Sequence, residues 1–203
     1  MLPTLSIGFD PIGSYHLMEN ESLLKELQAL KESVRELRAE ADIRRIMARY
    51  MLLCDIPLPE QGLDMAGRIS EIVGLFSKDA CWEGVGVYYD NQFGASFGHE
   101  QIARHFERFF QPKDPAMIFN CHYLTCEQIH VHGDTADGQW VHFQPWIFDD
   151  GSSVLRSSRL NNMFRCVDEV WKIARYRSEN LFAAPLPSNW ATNVPATSVL
   201  MKP

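Results

Sequence analysis

Cysteine is too scarce and too scattered in this chain to build a framework. Cys54, Cys81, Cys121, Cys126 and Cys166 are odd in number, lack CxxC spacing and sit among apolar neighbours, so buried free thiols are expected rather than disulfides or a zinc site. Positive charge is also short. Nineteen Lys and Arg against 26 Asp and Glu leave a formal net charge of −7 with no basic run, which argues against nucleic acid or an anionic membrane surface as the main partner. No apolar run reaches the ~18 residues of a membrane span, and no basic segment followed by an apolar one opens the chain, so a cytoplasmic location is expected. Metal-binding patterns such as HExxH are missing. Gly84-Val85-Gly86 does not read as a phosphate loop, because no helix N-terminus is expected after it. Neither metal nor cofactor is implied.

What is present is 203 residues, 46% hydrophobic and 22% charged, enough for one well-buried domain with an appendage. Residues 1–18 show no period and read as a flexible arm. From Glu19 to about Met51 a helix is expected, and within 19–40 Leu23, Leu27, Leu30, Val34 and Leu37 recur at spacings of four and three. This is a heptad seam, with Lys25, Glu26, Lys31, Glu32, Arg35 and Glu36 on the other faces, and it suggests a homo-oligomer contact. A pocket domain is expected over 41–190 and an irregular tail over 191–203, with Trp190 packing back on the body. Further helices are expected at 65–76 and 99–110, and strands at 82–89, 153–167 and 171–181. The order of elements predicts an α+β fold with a curved antiparallel sheet and helices on one face.

The strongest strand signal is a hairpin, Cys121–Val131 and Gln139–Phe148, turning at Gly133-Asp134. Side chains two apart on a strand share a face. His122, Leu124 and Cys126 therefore point one way, and Trp140, His142 and Gln144 another common way. Polar groups on the buried face of a sheet cost free energy unless paired, so two imidazoles and an amide beside an indole suit a pocket lining better than a plain core. Asp55 falls at a helix C-terminus, where the dipole disfavours a carboxylate; it either reaches solvent or has a specific partner inside.

Taken together, the RRIMARYMLLCD helix end, the FSKDACWEGVG junction, the GHEQIARHF helix, and HYLTCEQIHVHGDTADGQWVHFQPW followed by the WKI strand resemble the nuclear transport factor 2-like superfamily in its SnoaL-like branch. The resemblance implies a cone-shaped α+β barrel around one deep pocket, usually in a dimer or trimer. Members include scytalone and bile acid dehydratases, steroid isomerase, polyketide cyclases and lyases of lignin-derived aromatic dimers, while others only bind ligands. Their common chemistry is cofactor-free proton transfer beside a carbonyl, hydroxyl or phenol. By this resemblance Tyr50 and Asp55 match the Tyr and Asp that dehydratases place at the first helix end, and His122 matches the His opening the strand after the third helix. His142 and Arg159 match the other polar pocket positions more loosely.

An imidazole gives and takes protons near neutrality, with an unperturbed pKa of about 6.5, and Asp55 hydrogen-bonded to one would fix its tautomer. Tyr50 could polarise a substrate oxygen. Arg159, with Asn161 on the same strand face, could stabilise an oxyanion or simply form a surface ion pair. Trp82, Tyr88, Leu124, Trp140 and Gln144, with Asn161, are the expected contacts of an aromatic or alicyclic substrate. The leading expectation is a cofactor-independent lyase working by dehydration or by retro-aldol, deformylating carbon–carbon cleavage on an aromatic (for example lignin-derived) or alicyclic hydroxylated small molecule. An isomerase or cyclase with the same pocket, or a non-catalytic binding protein, are the alternatives. The discriminating feature is whether Asp55 reaches an imidazole across an open cavity, since a binding module has no need of that pair.

Overall fold

The computed structural model describes residues 11–58, 60–90 and 92–187. Helix α1 runs Pro11–Cys54, opening on a proline whose missing N–H costs nothing at a first helical position. It begins earlier than expected: residues 11–18 are helical rather than a loose arm. Residues 1–10 of that arm, Trp190 and the tail beyond it lie outside the described residues. The chain divides into two units after Arg38. In the first, Leu23, Leu27, Leu30, Val34 and Leu37 are all exposed. In the second, α1 continues as a buried stripe of Ala39, Ile43, Met47, Tyr50 and Met51 at helical spacing.

Helix α2, Met65–Gly74, is capped by Asp64, whose Oδ1 accepts from the Gly67 N–H at 2.7 Å. Strand β1 is Phe76–Val85, starting six residues before the expected Trp82, because Phe76, Ala80, Trp82 and Gly84 already turn inward from its first residue. A single helical turn, α3 (Val87–Asp90), follows Gly86 where no helix is expected from the sequence. Strand β2 (Ala95–Phe97) leads into α4 (Gly98–Phe110), and β3 (Met117–Asn120), β4 (Tyr123–His132), β5 (Thr135–Phe148), β6 (Ser153–Val167) and β7 (Val170–Pro185) complete the chain.

The seven strands form one curled sheet in the order β2-β1-β7-β6-β5-β3, with β4 also on β5 and the helices on one side. This is the expected α+β layout with one local difference: β1 pairs β7 in parallel, while the remaining pairs are antiparallel. β5 carries two neighbours on one edge. β4 covers Thr135–Phe143 and β3 covers Trp146–Phe148, so the ladder breaks at Cys121-His122, opposite Gln144 and Pro145. A second irregularity lies in β4, where the register shifts between Thr125 and Gln128 and Cys126 takes φ 53°. That bulge corrects the expected alternation: Cys126 is exposed instead of sharing an inward face with His122 and Leu124. Among the described residues no helix is long and apolar enough to cross a membrane.

Candidate active site

The end of α1 is fixed from two directions. Arg68 of α2 is buried and donates to the carbonyls of Leu53 (2.6 Å) and Asp55 (2.7 Å), supplying positive charge where the helix dipole is negative. The next residue, Ile56, exchanges two backbone hydrogen bonds with Asn120 at the end of β3, each 2.8 Å. Asp55 is thereby turned away from the helix and toward the break in the β5 ladder. Its Oδ1 accepts from the backbone N–H of His122 (3.0 Å) and from His122 Nδ1 (2.8 Å).

The far side of the His122 ring is held as firmly. Asn120 Nδ2 donates to the Cys54 carbonyl (3.1 Å), and Gln144 Nε2 lies 2.7 Å from Asn120 Oδ1 and 2.9 Å from His122 Nε2. A carbonyl only accepts, so Asn120 must turn its amide hydrogens to Cys54 and its oxygen to Gln144. Gln144 then presents a hydrogen to each neighbour. In this arrangement His122 carries its hydrogen on Nδ1, given to Asp55, and its lone pair on Nε2.

This ring opens on a pocket whose empty space, open mouth included, is about 480 Å³. Tyr50, Trp82, His122, His142 and Gln144 all line it. The Tyr50 hydroxyl accepts from Trp82 Nε1 at 2.8 Å, and burial pushes its pKa well above the ordinary phenol value, so it stays protonated. His142 stands one inward position before Gln144, its ring centroid 5.7 Å from that of His122. Burial first, then the neighbouring His122, brings its pKa down to about 3, an effect the nearby Gln144 amide partly offsets. Neither of its ring nitrogens has a hydrogen-bond partner.

Other expected site residues lie elsewhere. Arg159 is exposed and Asn161 half-buried, on the face of β6 opposite Leu160 and Asn162. Arg156, in phase with Leu160 and Phe164, lines the pocket instead. Counting back by twos from those two apolar residues would have found it. Tyr88 is exposed while its neighbour Tyr89 lines the pocket, because α3 replaces the expected strand there. Trp140 belongs to the core, its indole N–H on Glu127 (3.2 Å), and Leu124 packs against the same cluster. His105 of α4 was legible only as one of a helical stripe. It lies against Trp82 with centroids 4.0 Å apart, lines the pocket, and is lowered by burial to about 4. Phe93, Phe106, Phe109, Trp146 and Tyr176 complete an aromatic wall.

The chain belongs to the SnoaL-like domain family, whose pattern matches residues 35–177, and its architecture is the NTF2-like, cystatin-like fold. Similar solved structures include a candidate aromatic ring hydroxylase from Novosphingobium aromaticivorans, 22% identical over 74% of this chain and 94% of that one, TM-score 0.57. Hexachlorocyclohexane dehydrochlorinase LinA-type3 from Novosphingobium barchaimii is 18% identical over 74% and 91%, TM-score 0.56. A candidate scytalone dehydratase from N. aromaticivorans is 17% identical over 74% and 89%, TM-score 0.56. At these identities the likeness is one of fold. No curated protein sequence matches the chain.

The two buried imidazoles make stability depend on pH. Both fold with pKa values below the ordinary 6.5, about 3 for His142 and about 4 for His105. The unfolded chain therefore binds more protons than the folded one between about 6.5 and 4, and stability falls as pH drops through that window. Calorimetric Tm should decline from pH 7 to pH 5, above the range where most carboxylates titrate, and the slope should be about half as steep in His142→Asn. A flat Tm over that interval would contradict the burial of neutral imidazoles.

Proposed function

We propose that this protein is a cofactor-independent lyase acting on a hydroxylated aromatic or alicyclic small molecule. The reading rests on one observation: Asp55 Oδ1 lies 2.8 Å from His122 Nδ1 at the edge of an open cavity. A protein that only stores a ligand gains nothing from a carboxylate orienting a pocket imidazole. Names carried by structural neighbours, a candidate scytalone dehydratase and a dehydrochlorinase, are both of elimination enzymes and agree with this reading.

In the proposed reaction a substrate takes the place of the Gln144 hydrogen at His122 Nε2. His122 removes a proton from carbon, the C–H electron pair becomes a new double bond, and the neighbouring C–O bond breaks. Asp55 balances the imidazolium through Nδ1–H. The departing hydroxide then takes the same proton from His122 and leaves as water. His122 serves in both directions because the alternatives are weak acids: Tyr50 is pushed well above the ordinary phenol value, and His142 is a neutral imidazole. Those two groups assist as hydrogen-bond donors to the leaving oxygen. A retro-aldol cleavage would use the same base on a hydroxyl proton: the O–H pair forms the carbonyl, the carbon–carbon bond breaks with its pair passing into a conjugated acceptor of the substrate, and the resulting carbanion or enolate takes the proton back from His122. An isomerase would return the proton to another carbon.

His122→Ala and Asp55→Asn should each lower turnover by ~10²–10⁴ with Tm little changed, and the double variant should be little worse than the worse single one, since the pair acts as a unit. Substrates can be sought by mass spectrometry of small molecules consumed from a cell extract in the presence of the protein. Consumption at the wild-type rate by either single variant would overturn the paired role of Asp55 and His122, and no consumption by the wild type would favour a binding protein.

We further infer that a second copy of the chain covers the exposed Leu23, Leu27, Leu30, Val34 and Leu37 seam of α1. Light scattering should give a multiple of 23.3 kDa for the wild type and a lower mass for Leu30→Glu with Leu37→Glu. A monomer mass for the wild type would refute the pairing.

A further inference from the structure

One wall of the pocket holds polar side-chain atoms that nothing among the described residues satisfies. Among the described residues, the buried side-chain polar atoms without a partner are both His142 ring nitrogens, Trp146 Nε1, Arg156 Nε and Nη1, and Ser153 Oγ. All but the serine belong to residues that line the one cavity beside His122. Unpartnered buried polar atoms are rare and costly in folded proteins, so their gathering at a single cavity points to a ligand that supplies acceptors.

Arg156 sets the character of that ligand. Its side chain is fully buried, and its guanidinium lies over the Trp146 ring at 3.8 Å, with Tyr89 and Phe93 within 5.4 Å. Its Nη2 donates to Gln92 Oε1 at 3.0 Å, and the Tyr89 hydroxyl lies in hydrogen-bonding contact with it; both partners are neutral, and no carboxylate among the described residues pairs with it. Aromatic faces attract the cation but leave its N–H edges empty. Its Nε and Nη1 have no partner among the described residues. A buried charge with no counter-ion is among the most expensive arrangements a fold can keep, and a neutral substrate would not relieve it.

We propose that the pocket's substrate brings its own carboxylate, held in the ground state on Arg156 and the Trp146 indole N–H, with its aromatic body against the Phe93, Phe109 and Trp82 side of the cavity. A carboxylate fits better than a phenolate because the donors are several and a guanidinium is matched by two oxygens in one plane. The assignment deepens the lyase reading by naming the substrate class, an aromatic carboxylic acid whose reacting carbon lies toward His122. The carboxylate anchor works before any chemistry occurs, so it is read from binding alone.

The test is calorimetric titration of the full chain at pH 7.5 with 3-phenylpropanoate, 3-phenylpropanamide and pentafluorophenolate. The acid should bind ~10–100-fold more tightly than the isosteric amide, the span of a charge-assisted hydrogen-bonded pair, and more tightly than the single-oxygen anion. The preference should vanish in Arg156→Gln and shrink in Trp146→Phe, which keeps the ring and removes the N–H. Asp55→Asn should retain the full preference, so loss of the lyase reading would leave this result standing, and the reverse. Equal binding of acid and amide by the wild type, no binding of the acid at millimolar concentration, or a preference that survives Arg156→Gln would each overturn the proposal. The wild-type comparison decides the matter even if the arginine variant fails to fold.

Discussion

Two backbone hydrogen bonds between Ile56 and Asn120 join the end of the first helix to the end of a short strand, and the site depends on that junction. Asp55 precedes one partner and carries the acceptor for His122 Nδ1. Asn120 is the other partner and, through Gln144, fixes what meets Nε2. One bridge therefore sets the groups on both sides of one imidazole. Arg68 makes the junction tolerable electrostatically, since its guanidinium covers carbonyls at a helix end that would otherwise face the Asp55 carboxylate.

The polar chain from the Cys54 carbonyl to Asp55 is satisfied at every link, as buried networks must be if they are to hold a single geometry. The inward positions beside it on the same sheet, His142 and Trp146 flanking Gln144 on β5 and Arg156 across from Gln144 on β6, are not. That contrast separates groups built to hold a proton in a defined place from neighbours built to receive something. The aromatic rings of the pocket provide area without competing for either set of polar groups.

Much of the fold was legible in the sequence because its hairpin, its amphipathic helices and its inward parity on β5 obey simple periods. Trp140, His142 and Gln144 share a face, as alternation required. Asp55 stands out in the sequence by its unfavourable position at a helix end, and the carboxylate does have an internal partner. The misreadings come from local breaks of period. A bulge at Cys126 and a helical turn at Val87–Asp90 each shift parity, which turns Cys126 and Tyr88 outward. The resemblance points to Arg159, while the apolar positions Leu160 and Phe164 on the same strand mark Arg156 as inward. Asn120 and His105 act through packing and hydrogen bonds between distant segments, which no local pattern encodes.

Asp55 and Gln144 together hold His122 in one tautomer, with its hydrogen on Nδ1 given to Asp55 and its Nε2 lone pair receiving the Gln144 hydrogen. Nitrogen-15 NMR of the imidazoles in uniformly labelled protein at pH 7.5, with His122 assigned by its loss in His122→Ala, reads this directly. The account predicts a protonated-type shift for His122 Nδ1 and an unprotonated-type shift for Nε2, and equalisation of the two in Asp55→Asn. A His122 ring with its hydrogen on Nε2, or one already averaged between tautomers in the wild type, would contradict it.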